Sequence, residues 1–472
     1  MEIFHERLLV DQLTPVSLYA KLREFFAGET TFLFESAASS SESGTHSFII
    51  IGAKEEVISQ GGESFYIDSK GNRQNIGANP FPFLKEYYAR LDQSAYRAWG
   101  EENGVGFVDG FIGYIGYDMV KFFEPCLKEA MDALEDQTKI PDMRLIRPRW
   151  IFCYSHKNAH LSMLTQDPQE AKRFEALKST LHSKEPFREL LPLKNAKSGS
   201  FYHDKERFFG MVDESLERIR SGDVFQILIS NRYIQEAEID PFSFYRILRG
   251  KNPSPYLFLL EFPDFAIAGS SPEVMVRLQE NSILLRPIAG TRKRGKNRLR
   301  DRELELELKS DTKECAEHVM LIDLGRNDVG RVAKSGSVKV GEVMRIERYS
   351  HVMHMVSDVE GELKEGKDMF DLFAATFTAG TMTGAPKIKA MEIIAELEGL
   401  KRGFYSGAVG YFGFSGDMDS AITIRTALIK PDKIFLQAGA GIVADSQKEL
   451  EHLEVTNKLG ALTSTLQELA KL

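Results

Sequence analysis

Val409-Gly-Tyr-Phe-Gly-Phe414, Ala421-Ile-Thr-Ile-Arg-Thr-Ala-Leu-Ile429 and Ile434-Phe-Leu-Gln437 follow one another with only short polar connections. Each is rich in β-branched, aromatic or aliphatic residues and reads as a strand, and Pro431-Asp432 forms a turn between the last two. Working outward, similar strand runs recur at residues 31–34, 47–51, 111–117 and 150–154. Helical patterns fall at 204–220, 371–377, 388–400 and from about 446 to the C-terminus. Helices and strands do not alternate regularly, and the strands cluster. This predicts an α+β fold with mostly antiparallel sheets, and neither a Rossmann nor a TIM architecture. Residues 184–200 are polar, hold two prolines and end in Lys-Ser-Gly-Ser, so they read as a linker between a 1–183 region and a 201–472 region.

The chain has 472 residues, 43% hydrophobic and 27% charged, as in an ordinary globular protein. Its net charge of −9 and pI of about 5.7 leave no basic footprint for nucleic acid. No apolar run approaches the ~20 residues of a membrane span, and Met1-Glu-Ile-Phe-His-Glu-Arg lacks a signal-peptide pattern, so a cytoplasmic location is expected. Cys126, Cys153 and Cys315 are odd in number and widely spaced, as for reduced thiols without a disulfide frame or zinc site.

Two Glu-x-x-Glu pairs carry the chemistry: Glu314 with Glu317, and Glu451 with Glu454. On a helix this spacing puts both carboxylates of a pair on one face. Four carboxylates on one cavity wall repel unless a hard cation lies among them, and Mg²⁺ prefers oxygen ligands. Cys315 should face away. Each pair also has a plainer reading: Lys313 and Arg326 could satisfy the first, and the second could be a solvated face with a Glu454–Lys458 pair. Ser446 with Glu449 fits a capping box at the start of the last helix. Just upstream, Gly439-Ala-Gly-Ile-Val marks a close backbone approach at a helix N-terminus suited to anions. In 286–296, Gly290 and Thr291 offer an N–H and a hydroxyl within a basic run. Gly380-Thr-Met-Thr-Gly-Ala-Pro386 is a second small-residue loop, and neither matches P-loop spacing.

As a set, the motifs Pro287-Ile-Ala-Gly-Thr-Arg292, Glu314-x-x-Glu317-His-x-Met-Leu-Ile-Asp-Leu, Gly380-Thr-Met-Thr-Gly-Ala-Pro-Lys387, Asp419-Ser-Ala-Ile-Thr-Ile-Arg425 and Gly439-Ala-Gly-Ile-Val-Ala-Asp445 closely resemble the chorismate-utilising enzymes. Leu33-Phe-Glu-Ser36 and Gly113-Tyr-x-Gly-Tyr-Asp118 extend the resemblance into the N-terminal half, toward the anthranilate-forming branch. Ala289 stands where many aminodeoxychorismate-forming relatives carry a lysine nucleophile, although some members of that branch also lack it. The family fold is two intertwined α+β domains with orthogonally packed sheets and helices outside.

The resemblance implies a Mg²⁺ cofactor held by Glu317 and Glu454, with Glu451 orienting water or metal. It implies Glu314 as general acid, its pKa raised by neighbouring carboxylates, while ammonia adds at C2 of chorismate and the C4 hydroxyl leaves. His354 would serve the loss of pyruvate, and Thr381 joins the catalytic set. Arg425 and Tyr405 would hold the pyruvyl carboxylate. Lys458, Gly290, Thr291, Gly439 and Gly441 would complete the substrate cradle. Glu35 and Ser36, with Pro253 and Tyr256 of Asn252-Pro-Ser-Pro-Tyr256, resemble a tryptophan feedback site. There the family's Arg-Tyr-Ser-Phe is replaced by Thr45-His-Ser-Phe48. No Gly-x-Cys-x-Gly elbow surrounds any cysteine, so a separate glutamine amidotransferase subunit is expected to supply ammonia. Rival readings are an aminodeoxychorismate-forming component, a water-adding isochorismate or salicylate synthase, and a catalytically inactive ligand sensor.

Overall fold

The computed structural model describes residues 2–36, 45–184, 188–348 and 352–472. Residues 185–187 of the expected linker therefore lie outside the described residues. The strands form one large connected sheet system and a separate three-stranded sheet, and every ladder between named strands is antiparallel. The halves on either side of the expected linker share hydrogen bonds. Thr31–Glu35 pairs with Tyr256–Glu261, and Gly110–Ile115 pairs with Ala408–Gly413. This is the α+β arrangement that the clustered strand runs predict.

Two apolar layers hold it. One lies between sheet faces and contains Phe32, Ile50, Phe111, Met275 and Phe412. The other lies under the helices and contains Tyr19, Trp150, Phe244, Ile394 and Leu462. The helices Lys205–Arg220, Pro241–Lys251, Lys387–Glu398 and Lys448–Leu469 contribute their apolar faces to the second layer. Their ends follow local chemistry. Asp204 caps the first through the Arg207 N–H, and Gly399 at φ 64° ends the third. Among the described residues no helix is long and apolar enough to cross a membrane.

Three sequence expectations change. The 421–429 run is two strands, Met418–Ile422 and Thr426–Lys430. The first pairs with Val274–Gln279 and the second with Ala266–Ser271, so the chain breaks to change partners. Arg425 sits in that break at φ 52°. The 371–377 helix starts earlier, at Met369, because Asp368 caps it and Asp371 completes a capping box. The capping box proposed for Ser446 and Glu449 is absent: the last helix starts at Lys448 after Gln447. The Ser446 hydroxyl instead accepts the Val443 N–H at 3.1 Å.

Ala408–Gly413 is a central strand whose register puts Gly410 between Gly113 and Ser420. A Cβ on Gly410 would lie 2.1 Å from the Asp419 carbonyl oxygen. Gly410→Ala is therefore expected to destabilise the protein by about 3 kcal/mol. A wild-type urea midpoint in this variant would contradict the register.

Candidate active site

Asp311 accepts hydrogen bonds from the Lys313 and Glu314 N–H groups and starts the helix Thr312–Gly330. Its first turns carry Glu314 and Glu317. Glu451 and Glu454 project from the opening turns of Lys448–Leu469. Glu317 lies in the field of Glu454 and Glu451 across the two helices. Burial raises the pKa of Glu317, opposed by Lys313, whose ammonium is 4.0 Å away, and the charges of Glu314, Glu454 and Glu451 push it up further. Burial raises Glu451 too; the Ser446 hydroxyl opposes this and Glu454 adds to it. Arg326 pairs with Asp323 at 2.9 Å instead of serving this cluster. Cys315 Sγ points to the Lys309 carbonyl oxygen and packs beside Leu308 and Met353, away from the carboxylates.

Among the described residues no three His, Cys, Asp or Glu side chains stand gathered as around a bound metal. The donor chemistry nevertheless fits a hard cation: oxygen donors from two helices, destabilised in their charged form by burial and by one another. Lys458 supplies part of the missing charge. Its Nζ is 2.6 Å from Glu454 and donates to the Gly439 carbonyl at 2.8 Å.

The three-stranded sheet Ile288–Lys293, Arg345–Arg348 and Val352–Val356 builds the next wall. Its register sets Thr291 opposite His354, with a bulge between Ala289 and Thr291. His354 Nδ1 lies 3.1 Å from the Gly290 carbonyl and 3.0 Å from Thr291 Oγ1. Burial lowers the His354 pKa, so the ring is favoured in its neutral, basic form. Gly290, at φ 64°, brings the backbone so near Glu314 that a Cβ would lie 3.2 Å from its Oε2. The cation beside Glu314 is Arg292, whose Nη1 is 3.0 Å from its Oε1, and Arg292 also pairs with Asp311 at 2.8 Å.

The third wall contains an acid that the motif reading missed. Glu273 is buried, and Thr381 Oγ1 donates to its Oε1 at 2.9 Å. Burial pushes its pKa up to about 8, against the Thr381 hydrogen bond, the charges of Lys458 and Arg425, and the Ile288 N–H. It is thus largely protonated at neutral pH. The sequence signal was a single glutamate in the Pro272-Glu273 connection between the strands Ala266–Ser271 and Val274–Gln279. Arg425 has no ion-pair partner among the described residues, and lies in the field of Tyr405, Glu454 and Glu273. The buried Tyr405 phenol is pushed up to about 12. Gly439 and Gly441 face Ser230 and Leu228 across one ladder. A Cβ on Gly439 would meet the Ile229 carbonyl at 2.8 Å, which explains the glycine.

Glu35, Ser36, Pro253 and Tyr256 line one cavity of about 640 Å³ together with Phe48 and Tyr411. The Glu35 carboxylate is held by the Tyr245 hydroxyl at 2.6 Å and by two Arg249 nitrogens at 3.1 Å. Val274 lines this cavity while Glu273, one residue earlier, lies in the wall described above.

The sequence profile of the chorismate binding enzyme family matches residues 29–464, and the chain belongs to that family. It is 41% identical over 495 aligned positions to anthranilate synthase component 1 of Aquifex aeolicus (strain VF5), covering 98% of this chain and 94% of the relative. It is 39% identical to the protein of that name from Acinetobacter calcoaceticus, over 98% and 95% of the two chains. Among solved structures, anthranilate synthase component I from Streptococcus pneumoniae TIGR4 superposes with a TM-score of 0.77 at 35% identity, covering 97% of this chain and 99% of that one.

Glu273 links the site to stability. Its folded pKa of about 8 exceeds the ordinary 4.5, so the folded state binds the extra proton between these values. Its contribution is present below pH 4.5 and lost as pH rises through about 8. Glu273→Gln is expected to gain stability relative to wild type between pH 6 and pH 9. Urea unfolding of both proteins at each pH measures this, and a relative loss would contradict the buried, protonated acid.

Proposed function

We propose that this chain converts chorismate and ammonia to anthranilate and pyruvate, with ammonia released from glutamine by a separate amidotransferase subunit. The observation that carries the reading is the placement of carboxylates from two helices beside a separate, buried acid, Glu273, held by the Thr381 hydroxyl. The names of the similar proteins support the anthranilate product, as does Ala289, which cannot form a covalent adduct with the ring. Glu317 and Glu454 would hold Mg²⁺, with Glu451 orienting it or its water. When bound, the ion supplies Lewis-acid polarisation of the ring carboxylate.

Arg425 holds the pyruvyl carboxylate through its planar fork, beside Tyr405. Lys458, Gly290, Thr291, Gly439 and Gly441 form the rest of the anion cradle. The acid role implied for Glu314 falls instead to Glu273, because Arg292 holds the Glu314 carboxylate. As ammonia nitrogen bonds to C2, the ring double bonds shift and the C4–O bond breaks. Glu273 gives its proton to the departing hydroxyl, which leaves as water, and the new ammonium group releases one proton. His354 then takes the C2 proton, those electrons complete the aromatic ring, the C3–O bond breaks, and the enolate leaves to become pyruvate. The cavity at Glu35, Ser36, Pro253 and Tyr256 takes tryptophan as an inhibitor. The 1–183 region is then regulatory and 201–472 catalytic, in a cytoplasmic enzyme.

Purified chain with chorismate, Mg²⁺ and an ammonium salt at mildly alkaline pH tests the reading, using fluorescence and mass spectrometry. Equal amounts of anthranilate and pyruvate are expected; a 4-amino product without pyruvate contradicts it. Glu317→Gln and Glu454→Gln should each abolish turnover at any practical Mg²⁺ concentration, and retained activity in either sinks the metal assignment. Glu273→Gln should lower kcat by roughly 10²–10⁴-fold, as for loss of a general acid.

A further inference from the structure

Behind the third wall lies a fully buried ion pair with no assigned role. Arg402 is 1% exposed and Glu398, four residues earlier at the end of the helix Lys387–Glu398, 3%. Arg402 Nε and Nη2 reach the two Glu398 oxygens at 2.9 and 2.7 Å. Nη1 donates to the Met382 carbonyl at 2.7 Å, and Nη2 also to the Leu228 carbonyl at 2.9 Å. The guanidinium lies 4.8 Å from the Tyr117 ring centroid and 5.7 Å from that of Tyr405. Glu398 in turn accepts the N–H and hydroxyl of Ser230 at 2.7 and 2.8 Å.

These contacts fall next to the site residues. Met382 follows Thr381 in the short helical turn Gly380–Met382. Leu228 and Ser230 face Gly441 and Gly439 across the ladder. A buried ion pair contributes little net stability, because desolvation offsets the attraction. Its use here is geometric: one rigid, planar cation ties two backbone carbonyls, of Met382 and Leu228, to the Glu398 carboxylate. We infer that Arg402, anchored by Glu398, is a positioning residue that holds the 380–382 turn so that Thr381 meets Glu273. This rests on the acid role proposed for Glu273. The charges of Lys458 and Arg425 act on Glu273 beside the Thr381 hydrogen bond.

Arg402→Lys keeps a cation for Glu398 but loses the fork that spans Glu398 and Met382. It is tested beside Thr381→Val and the double variant, with kcat, KM and the high-pH limb of kcat as readouts. Displacing the turn is expected to lower kcat by about 100-fold, with a change in KM of less than about threefold. The double variant should be no worse than the poorer single, since both remove one contact. Without the Thr381 hydrogen bond Glu273 holds its proton more tightly, so the high-pH limb should move upward in Arg402→Lys as in Thr381→Val. Losses that multiply in the double variant, or an unmoved limb in Arg402→Lys, overturn the inference as a merely structural role. If Arg402→Lys fails to fold, Glu398→Gln carries the same cycle with the same criteria. Full activity in Thr381→Val overturns the inference, whereas full activity in Glu273→Gln refutes the acid reading beneath it.

Discussion

Like charge is the constraint on which this molecule turns. Glu317, Glu451 and Glu454 are carried by two helices far apart in the chain, yet each lies in the field of another. Partly buried carboxylates in mutual repulsion cost folding free energy, so the rest of the fold must hold them there. Lys458 and Lys313 offset only part of the charge. Glu317, Glu451 and Glu454 are thus held near one another from two helices, with only part of their charge offset.

The sheet topology makes the placement rigid. Pairing of Ala408–Gly413 with Gly110–Ile115 ties the halves of the chain into one sheet system, against which the last helix packs. The change of partners between Met418–Ile422 and Thr426–Lys430 leaves Arg425 in a break, where it makes no ion pair among the described residues. The separate three-stranded sheet brings His354, Gly290 and Thr291 to one place. Glu273, His354 and Arg425 thus come from different elements of the fold, and the buried Arg402–Glu398 pair bonds the turn that carries Thr381.

Much of this was legible in the sequence. Strand clustering gave the α+β class, and Asp204 starts its helix where the pattern placed it, whereas the 388–400 pattern ran past Gly399, where the helix ends. The Glu-x-x-Glu spacing located the charged faces. What escaped depended on tertiary context. Thr423 to Thr426 have strand-forming neighbours on both sides, so nothing local marks the break at Arg425. Glu273 is one acid in a two-residue connection between strands, and its burial depends on tertiary packing. The Glu314–Arg292 pair joins residues 22 apart, a contact that helix spacing cannot foresee. Ser446 turned back to Val443, where its hydroxyl competes with the capping geometry that its position suggested.

The most direct test of the central claim is thermal unfolding of the wild-type chain and Glu317→Gln as Mg²⁺ is raised, without substrate. A cation that binds only the folded carboxylate cluster raises Tm with its concentration. The account predicts a rising Tm in wild type and a weak or absent response in Glu317→Gln. A wild-type Tm that does not respond to Mg²⁺, or an equal response in both proteins, would contradict it.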